Sequence, residues 1–180
     1  DVGFDRCKST RAGYGDNSVD GYFRIDETLF YSSPDINSFQ FQASISSSNN
    51  NNNRQLAGTY KVNENITLGA GITSGDTASD KDRGFGIRYN KNEWTLTANY
   101  METDANNDAE YINLYAGYAI DEKNSVSADY TDKTVSNISS NPYTLAYHHS
   151  YNDSLNVFVE YYNDDTNNNS YPAVGFNYSF

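Results

Sequence analysis

The sequence predicts an all-β chain, a transmembrane antiparallel β-barrel of about 12 strands of which 11 are clear. Three observations carry that expectation. Apolar and polar residues alternate with a period of two along almost the whole chain. The alternating runs last about 8–11 residues, and the connections between them are short and long by turns.

At 180 residues the chain is one domain long. Hydrophobic residues make up 37%, mean hydropathy is -0.79 and the formal net charge is -12 at a pI of about 4.3. Those values alone describe a solvated acidic chain. The aromatic content contradicts them: it reaches 15%, with 17 Tyr and 9 Phe against one Trp, whereas disordered chains are poor in aromatics. No apolar run of about 18 residues offers a membrane helix. Asp1 to Arg6 does not read as a signal peptide. The single cysteine, Cys7, excludes an internal disulfide framework and a cysteine-based zinc site. Nucleic acid is not an expected partner, because phosphate binding needs a basic footprint.

The strands follow in order. Leu29 and Tyr31 mark residues 26–33; Phe39, Phe41, Ala43 and Ile45 mark 38–46. Leu56, Tyr60 and Val62, with Gly58 between them, mark 54–62, and Ile66, Leu68, Ala70 and Ile72 mark 66–74. Phe85, Ile87 and Tyr89 define 83–91; Trp94, Leu96, Ala98 and Tyr100 define 93–103; Ile112 to Ile120 in steps of two define 110–120. Val126, Ala128 and Tyr130 give 125–133, and Tyr143, Leu145 and Tyr147 give 142–151. The last two are 155–163, with Leu155, Val157, Val159 and Tyr161, and 171–180, with Val174, Phe176, Tyr178 and Phe180. Their length exceeds the mode of about 5–6 residues for globular strands and matches the ~9–11 of a tilted bilayer-crossing strand.

The intervening rows, such as Gln40-Gln42-Ser44 and Thr95-Thr97-Asn99, are small, hydroxylated or amide. A soluble sandwich would show water a face rich in Lys and Glu; these rows suit a wet lumen. Short connections (34–37, 63–65, 92, 121–124, 152–154) alternate with long polar ones (47–53, 75–82, 104–109, 134–141, 164–170), as in bacterial outer-membrane barrels. Hydrocarbon forbids an open sheet edge, so the sheet must close. Tyrosines fall near strand ends: Tyr31, Tyr60, Tyr89, Tyr100, Tyr118, Tyr147, Tyr161 and Tyr178 are expected to form an interfacial girdle.

The stretch Arg24-Ile-Asp-Glu-Thr-Leu-Phe-Tyr-Ser-Ser-Pro-Asp-Ile-Asn-Ser-Phe-Gln-Phe resembles the Gram-negative general porins, which carry a similar Arg-x-Asp-Asn-Ser-Val-x-Tyr-x-Ser-Pro segment just after the loop that folds into the pore. Arg24, Asp26, Leu29, Tyr31, Ser33, Pro34 and Phe39 match in type and spacing. The alternating aromatic C-terminus, Phe176, Tyr178 and Phe180, is similar to the family's assembly signal. The resemblance implies that residues 24–180 are the barrel, corresponding to the last eleven of sixteen strands. Residues 1–23 then form an N-terminal segment, a possible first strand followed by an inward-folded loop. A periplasmic N-terminus requires one upward strand within residues 1–14, for an even twelve; the alternative is a piece of a longer porin. Phe30 departs from the family, which often has a basic residue there.

For such a pore the chemistry is electrostatic, set by charged rings and pore diameter. The lumen-facing candidates are Lys61, Arg88, Asp129 and Glu160, each of which could equally be an ordinary solvated charge. The resemblance places Arg24 on the basic side of a constriction with Asp16 and Asp20 opposite. His148 beside Glu160 or Asp129 could mimic a hydrolase dyad, but no serine motif or metal set accompanies it, so no enzyme is expected. Acidic loops such as Asp76 to Asp82 read as counterion binders rather than calcium sites.

The expected function is a passive outer-membrane channel for small hydrophilic solutes with a cation preference, without cofactor or metal. Expected partners are outer-membrane lipid, the barrel assembly machinery acting on the C-terminal strand, and a homotrimer or another protein chain. The alternative is a structural or receptor barrel whose occupied lumen anchors a partner protein.

Overall fold

The computed structural model describes residues 28–48, 51–75, 81–103, 109–164, 166 and 168–178. The regular elements it describes are all strands: β1 (Thr28–Ser32), β2 (Phe39–Ser48), β3 (Asn51–Lys61), β4 (Ile66–Ser74), β5 (Asp82–Lys91), β6 (Trp94–Thr103), β7 (Ala109–Ala119), β8 (Asn124–Val135), β9 (Ile138–Ser140), β10 (Tyr143–Ser150), β11 (Leu155–Asp164) and β12 (Asn169–Tyr178). They form one 12-stranded sheet, a meander in the order β1-β2-β3-β4-β5-β6-β7-β8-β10-β11-β12, with β9 attached to β8. Every pairing is antiparallel.

The eleven strands of the meander are the eleven that the alternation marks. A twelfth described strand lies elsewhere in the chain. The stretch 1–14, where an upward first strand was sought, lies outside the described residues. The extra strand is β9, in the connection 134–141 that the sequence reading leaves as loop. There β8 runs on to Val135, turns through Ser136 (φ 51°) and Asn137 (φ 65°), and pairs back with Val135 opposite Ile138. Two successive left-handed residues are what a tight two-residue hairpin demands. No run of apolar alternation announces so short a strand.

Three of the short turns share one construction. In each, an Asx side chain caps the two amide groups that restart the next strand. Asn63 Oδ1 accepts from the N–H of Asn65 (2.8 Å) and Ile66 (2.9 Å). Asp121 Oδ1 accepts from Lys123 and Asn124, both at 2.8 Å. Asn152 Oδ1 accepts from Ser154 (2.9 Å) and Leu155 (2.8 Å). A backbone bond closes each turn, Val62 N–H to Ile66 O, Ile120 N–H to Asn124 O and Tyr151 N–H to Leu155 O, at 2.8–2.9 Å. Asp121 also accepts from the Asn124 amide, and this bond, ahead of the backbone donors, holds its carboxyl below the usual carboxylate range.

Burial is inverted relative to a water-soluble protein. Leu29, Ile72, Phe85, Val159, Val174 and Phe176 are all more than half exposed. Buried instead are Ser44, Thr73, Thr97, Asp129, Thr144, His148, Glu160 and Asp164. Apolar side chains occupy the outer face and polar ones the inner face, so the solvent for the outer face is lipid. Among the described residues a small apolar cluster of buried side chains, Met101, Ala109 and Tyr111 with Val135 against it, lies on the inner face toward the long-loop end.

Candidate pore lining

The inner face is tiled by hydrogen bonds between neighbouring strands. Ser44 donates to Gln55 Oε1 (3.1 Å), and Thr73 donates to Asp82 Oδ2 (3.1 Å) while accepting from the Asp82 N–H (2.9 Å). Asn113 Nδ2 donates to Asp129 Oδ2 (2.9 Å) and to Thr131 Oγ1 (3.1 Å). Such pairs answer the polar groups that the alternation turns inward.

Register places the charged candidates relative to one another. One line of directly paired residues runs Lys61, Thr67, Arg88, Thr97, Tyr115, Asp129, Thr144, Tyr162, Tyr171 across nine strands. Lys61, Arg88 and Asp129 therefore share a single line. Glu160 lies on the adjacent inner-face line, opposite Ala146 and Ala173. Strands in a barrel tilt, so a line perpendicular to them climbs the wall. It starts at Lys61, the short-turn end of β3, and finishes at Tyr171, near the long-loop end of β12. The candidates thus form a climbing charge track and not a level ring.

Their environments differ. Lys61 sits at the rim, 65% exposed, and meets Asp35 of the short turn at 3.4 Å. Arg88 is half-buried and lines a cavity of about 340 Å³ with Asn90, Glu93, Thr95, Thr97, Tyr115 and His148. Asp129 and Glu160 are buried at 5% and 2% exposure. Arg24, Asp16 and Asp20 lie outside the described residues. His148 is buried on the inner face with its ring 5.9 Å from that of Phe158. No grouping of three metal-ligating residues occurs among the described residues.

The aromatic candidates lie on the outer face. Tyr31, Tyr60, Tyr147 and Tyr178 are exposed near the short-turn ends of their strands, and Trp94, its ring centre 4.8 Å from that of Tyr118 in a tilted pair, lies at the same level. Tyr89 and Tyr118 are half-buried there, while Tyr100 and Tyr161 stand in the long-loop halves. Phe176 and Tyr178 are exposed on β12; Phe180 lies outside the described residues.

Four tyrosines that the sequence reading did not single out face inward instead: Tyr111, Tyr115, Tyr162 and Tyr171. Lys133 Nζ stands 5.4 Å from the centre of the Tyr111 ring, and the rings of Tyr162 and Tyr171 are 5.2 Å apart. The signal was parity, since Tyr115 lies an even number of residues from Asn113 and Tyr111. The expectation that tyrosines belong to the membrane interface masked it.

The family model for Gram-negative porins matches residues 3–169. The chain belongs to the Gram-negative porin family. This porin is accordingly an outer-membrane β-barrel protein, in a family of channels and not of enzymes. No curated protein matches it. Among solved structures it is similar to a KdgM porin, with a TM-score of 0.55 and 15% identity over 85% of this chain and 91% of that one. It is similar to OmpT, an outer membrane protein of Vibrio cholerae, with a TM-score of 0.68 and 13% identity over 87% of this chain and 65% of that one. Salmonella typhi OmpF, in a complex with daunomycin, gives a TM-score of 0.71 and 17% identity over 86% and 62%. The porin thus spans nearly all of the KdgM chain but under two thirds of the other two.

Proposed function

We propose that this porin is a passive diffusion channel for small hydrophilic solutes with a preference for cations. The observation that carries the reading is the inversion: an apolar outer face around an inner face of hydroxyls, amides and charges. Solutes would cross down their own gradient along the climbing track, past Lys61, Arg88, Asp129 and Glu160. Buried carboxylates such as Asp129 and Glu160 raise local cation concentration in a low-dielectric wall, and the net charge of -12 acts in the same direction. The same reading gives residues 1–23 to an inward-folded loop, with Asp16 and Asp20 facing Arg24. It assigns Phe176, Tyr178 and Phe180 to the assembly machinery, the tyrosine girdle to lipid headgroups, and a homotrimer to the working assembly.

Planar-bilayer recording tests it. Ohmic steps with a reversal potential on the cation side are expected; silence, or anion preference at low salt, would sink the proposal.

A second reading has one observation in its favour. The apolar cluster of Met101, Ala109 and Tyr111 is buried on an inner face that an open pore would wet. A lumen filled near its outer mouth, by residues 1–23 or by a partner chain, supports an anchor or receptor. Absence of conductance together with capture of one defined partner would favour it.

A further inference from the structure

The cavity that Arg88 lines is a hollow of about 340 Å³ in the inner wall, at the short-turn end of β5 to β8 and β10. Register builds it from three inner-face lines. The first is Arg88, Thr97, Tyr115. The second is Asn90, Thr95, Gly117, Ser127. The third is Ala119, Ser125, His148. Gly117 and Ala119, both on β7, leave the middle without bulk, and longer side chains flank them on either side.

Gly117 also sets the pose of its neighbour. A Cβ there would lie 2.7 Å from Tyr115 Oη and 3.1 Å from Cζ of the same ring. The Tyr115 ring therefore lies along the wall over Gly117, with its hydroxyl toward the short turns. On the β10 side His148 is buried with its ring against Phe158. Asn90 and Glu93 are exposed, so the hollow meets water at the short-turn rim.

The chemistry of the lining is one-sided. Arg88 contributes a guanidinium, and Thr95, Thr97, Tyr115, Ser125 and Ser127 contribute hydroxyls. Among the described residues that line the hollow, Glu93 is the one carboxylate, and it stands at the exposed rim where salt screens it. Asp129 follows Tyr115 on its register line but does not line the hollow. A guanidinium grips a carboxylate through two parallel N–H donors. Serine and threonine hydroxyls both donate and accept, so they answer hydroxyl groups in kind. The Tyr115 ring adds a flat apolar face. The volume falls at the small end of ligand pockets, which run from about 300 to 1,000 Å³.

We propose that this hollow is a binding site for a small carboxylate that carries several hydroxyl groups. The carboxylate meets Arg88, the hydroxyls meet Thr95, Thr97, Ser125 and Ser127, and the carbon skeleton lies on Tyr115. An ordinary wetted wall would hold such a solute no better than a neutral polyol of the same length. Short turns mark the periplasmic side of an outer-membrane barrel, so the site holds its solute at that end of the pore.

Binding here needs no conduction, so the test stands apart from the channel reading. Full-length protein is folded in detergent, checked by its β-sheet circular-dichroism spectrum, and titrated calorimetrically at low salt. The probes are gluconate, sorbitol, which keeps the hydroxyls without the charge, and butyrate, which keeps the charge without the hydroxyls. Saturable binding of one gluconate per chain is expected, with sorbitol and butyrate each weaker by about tenfold or more. Arg88→Gln should weaken gluconate binding by a similar factor, and Tyr115→Phe, which keeps the ring, by less. Arg54→Gln makes the same change of net charge at an exposed outward position and should leave binding unchanged. The comparison of probes uses the wild-type protein and keeps the test valid if Arg88→Gln misfolds. Absence of saturable gluconate binding, or equal binding of sorbitol or butyrate, would overturn the proposal. So would unchanged affinity in folded Arg88→Gln, or an equal loss in Arg54→Gln, which would reduce the effect to overall charge.

Discussion

Replacing Leu114 by Arg tests the inversion on which everything else rests. Leu114 is the middle residue of β7, Ala109–Ala119, and is 46% exposed on the outer face. In a water-soluble protein that substitution lies on the surface and changes stability by about 0.5 kcal/mol or less. In a bilayer, a cation at mid-height on the lipid face costs about 2–4 kcal/mol. At about 1.4 kcal/mol per decade this lowers the folding equilibrium roughly 30- to 1,000-fold. Glu110, on the same face but near the long-loop end of β7, provides the depth control, where Arg costs about 0–1 kcal/mol. Both variants are unfolded with urea from lipid vesicles. The emission of the single tryptophan, Trp94, reports the transition from its place on the outer face beside Tyr118. A cost for Leu114→Arg below about 1 kcal/mol, or one equal to that of Glu110→Arg, would refute the lipid-facing assignment.

Three further outcomes are expected. Asp129→Asn with Glu160→Gln should move the bilayer reversal potential toward anions, with the larger shift at the lower salt because screening is weaker there; an unchanged potential would remove both residues from the selectivity path. A methyl at Gly175 would run into the Phe158 ring, with Cε2 2.9 Å away, so Gly175→Ala should cost about 1–3 kcal/mol of overpacking and Phe158→Leu should recover it, both read from urea midpoints. The depressed Asp121 carboxyl stabilises the fold above its ordinary titration range, and that contribution is lost as pH falls through the lowered value. The wild-type urea midpoint should therefore drop below that range more than that of Asp121→Asn; parallel curves would show that the turn carries no such linkage.

Much of the barrel was legible because alternation is a property of one strand. A period of two settles which residues share a face before any neighbour is known, so Val157, Val159 and Tyr161 could be grouped at once. The Asx turns were legible as short polar connections, because Asn63, Asp121 and Asn152 cap their own next strand within a few residues. What stayed hidden needed partners from elsewhere in the chain. β9 exists only because Val135 and Ile138 pair across two left-handed residues. Tyr115 faces inward although its chemistry suits an interface, because Asn113 and Asp129 fix its parity.

The sequence by itself determined that alternate residues must meet two different solvents, and hence that the sheet has a lipid face and a wet one. Only the tertiary structure decided how the inner residues align. Lys61, Arg88 and Asp129 are far apart in the chain, and their common line follows from the register of each strand against the next. The tilt of the strands then turns that line into a climb along the wall instead of a level ring.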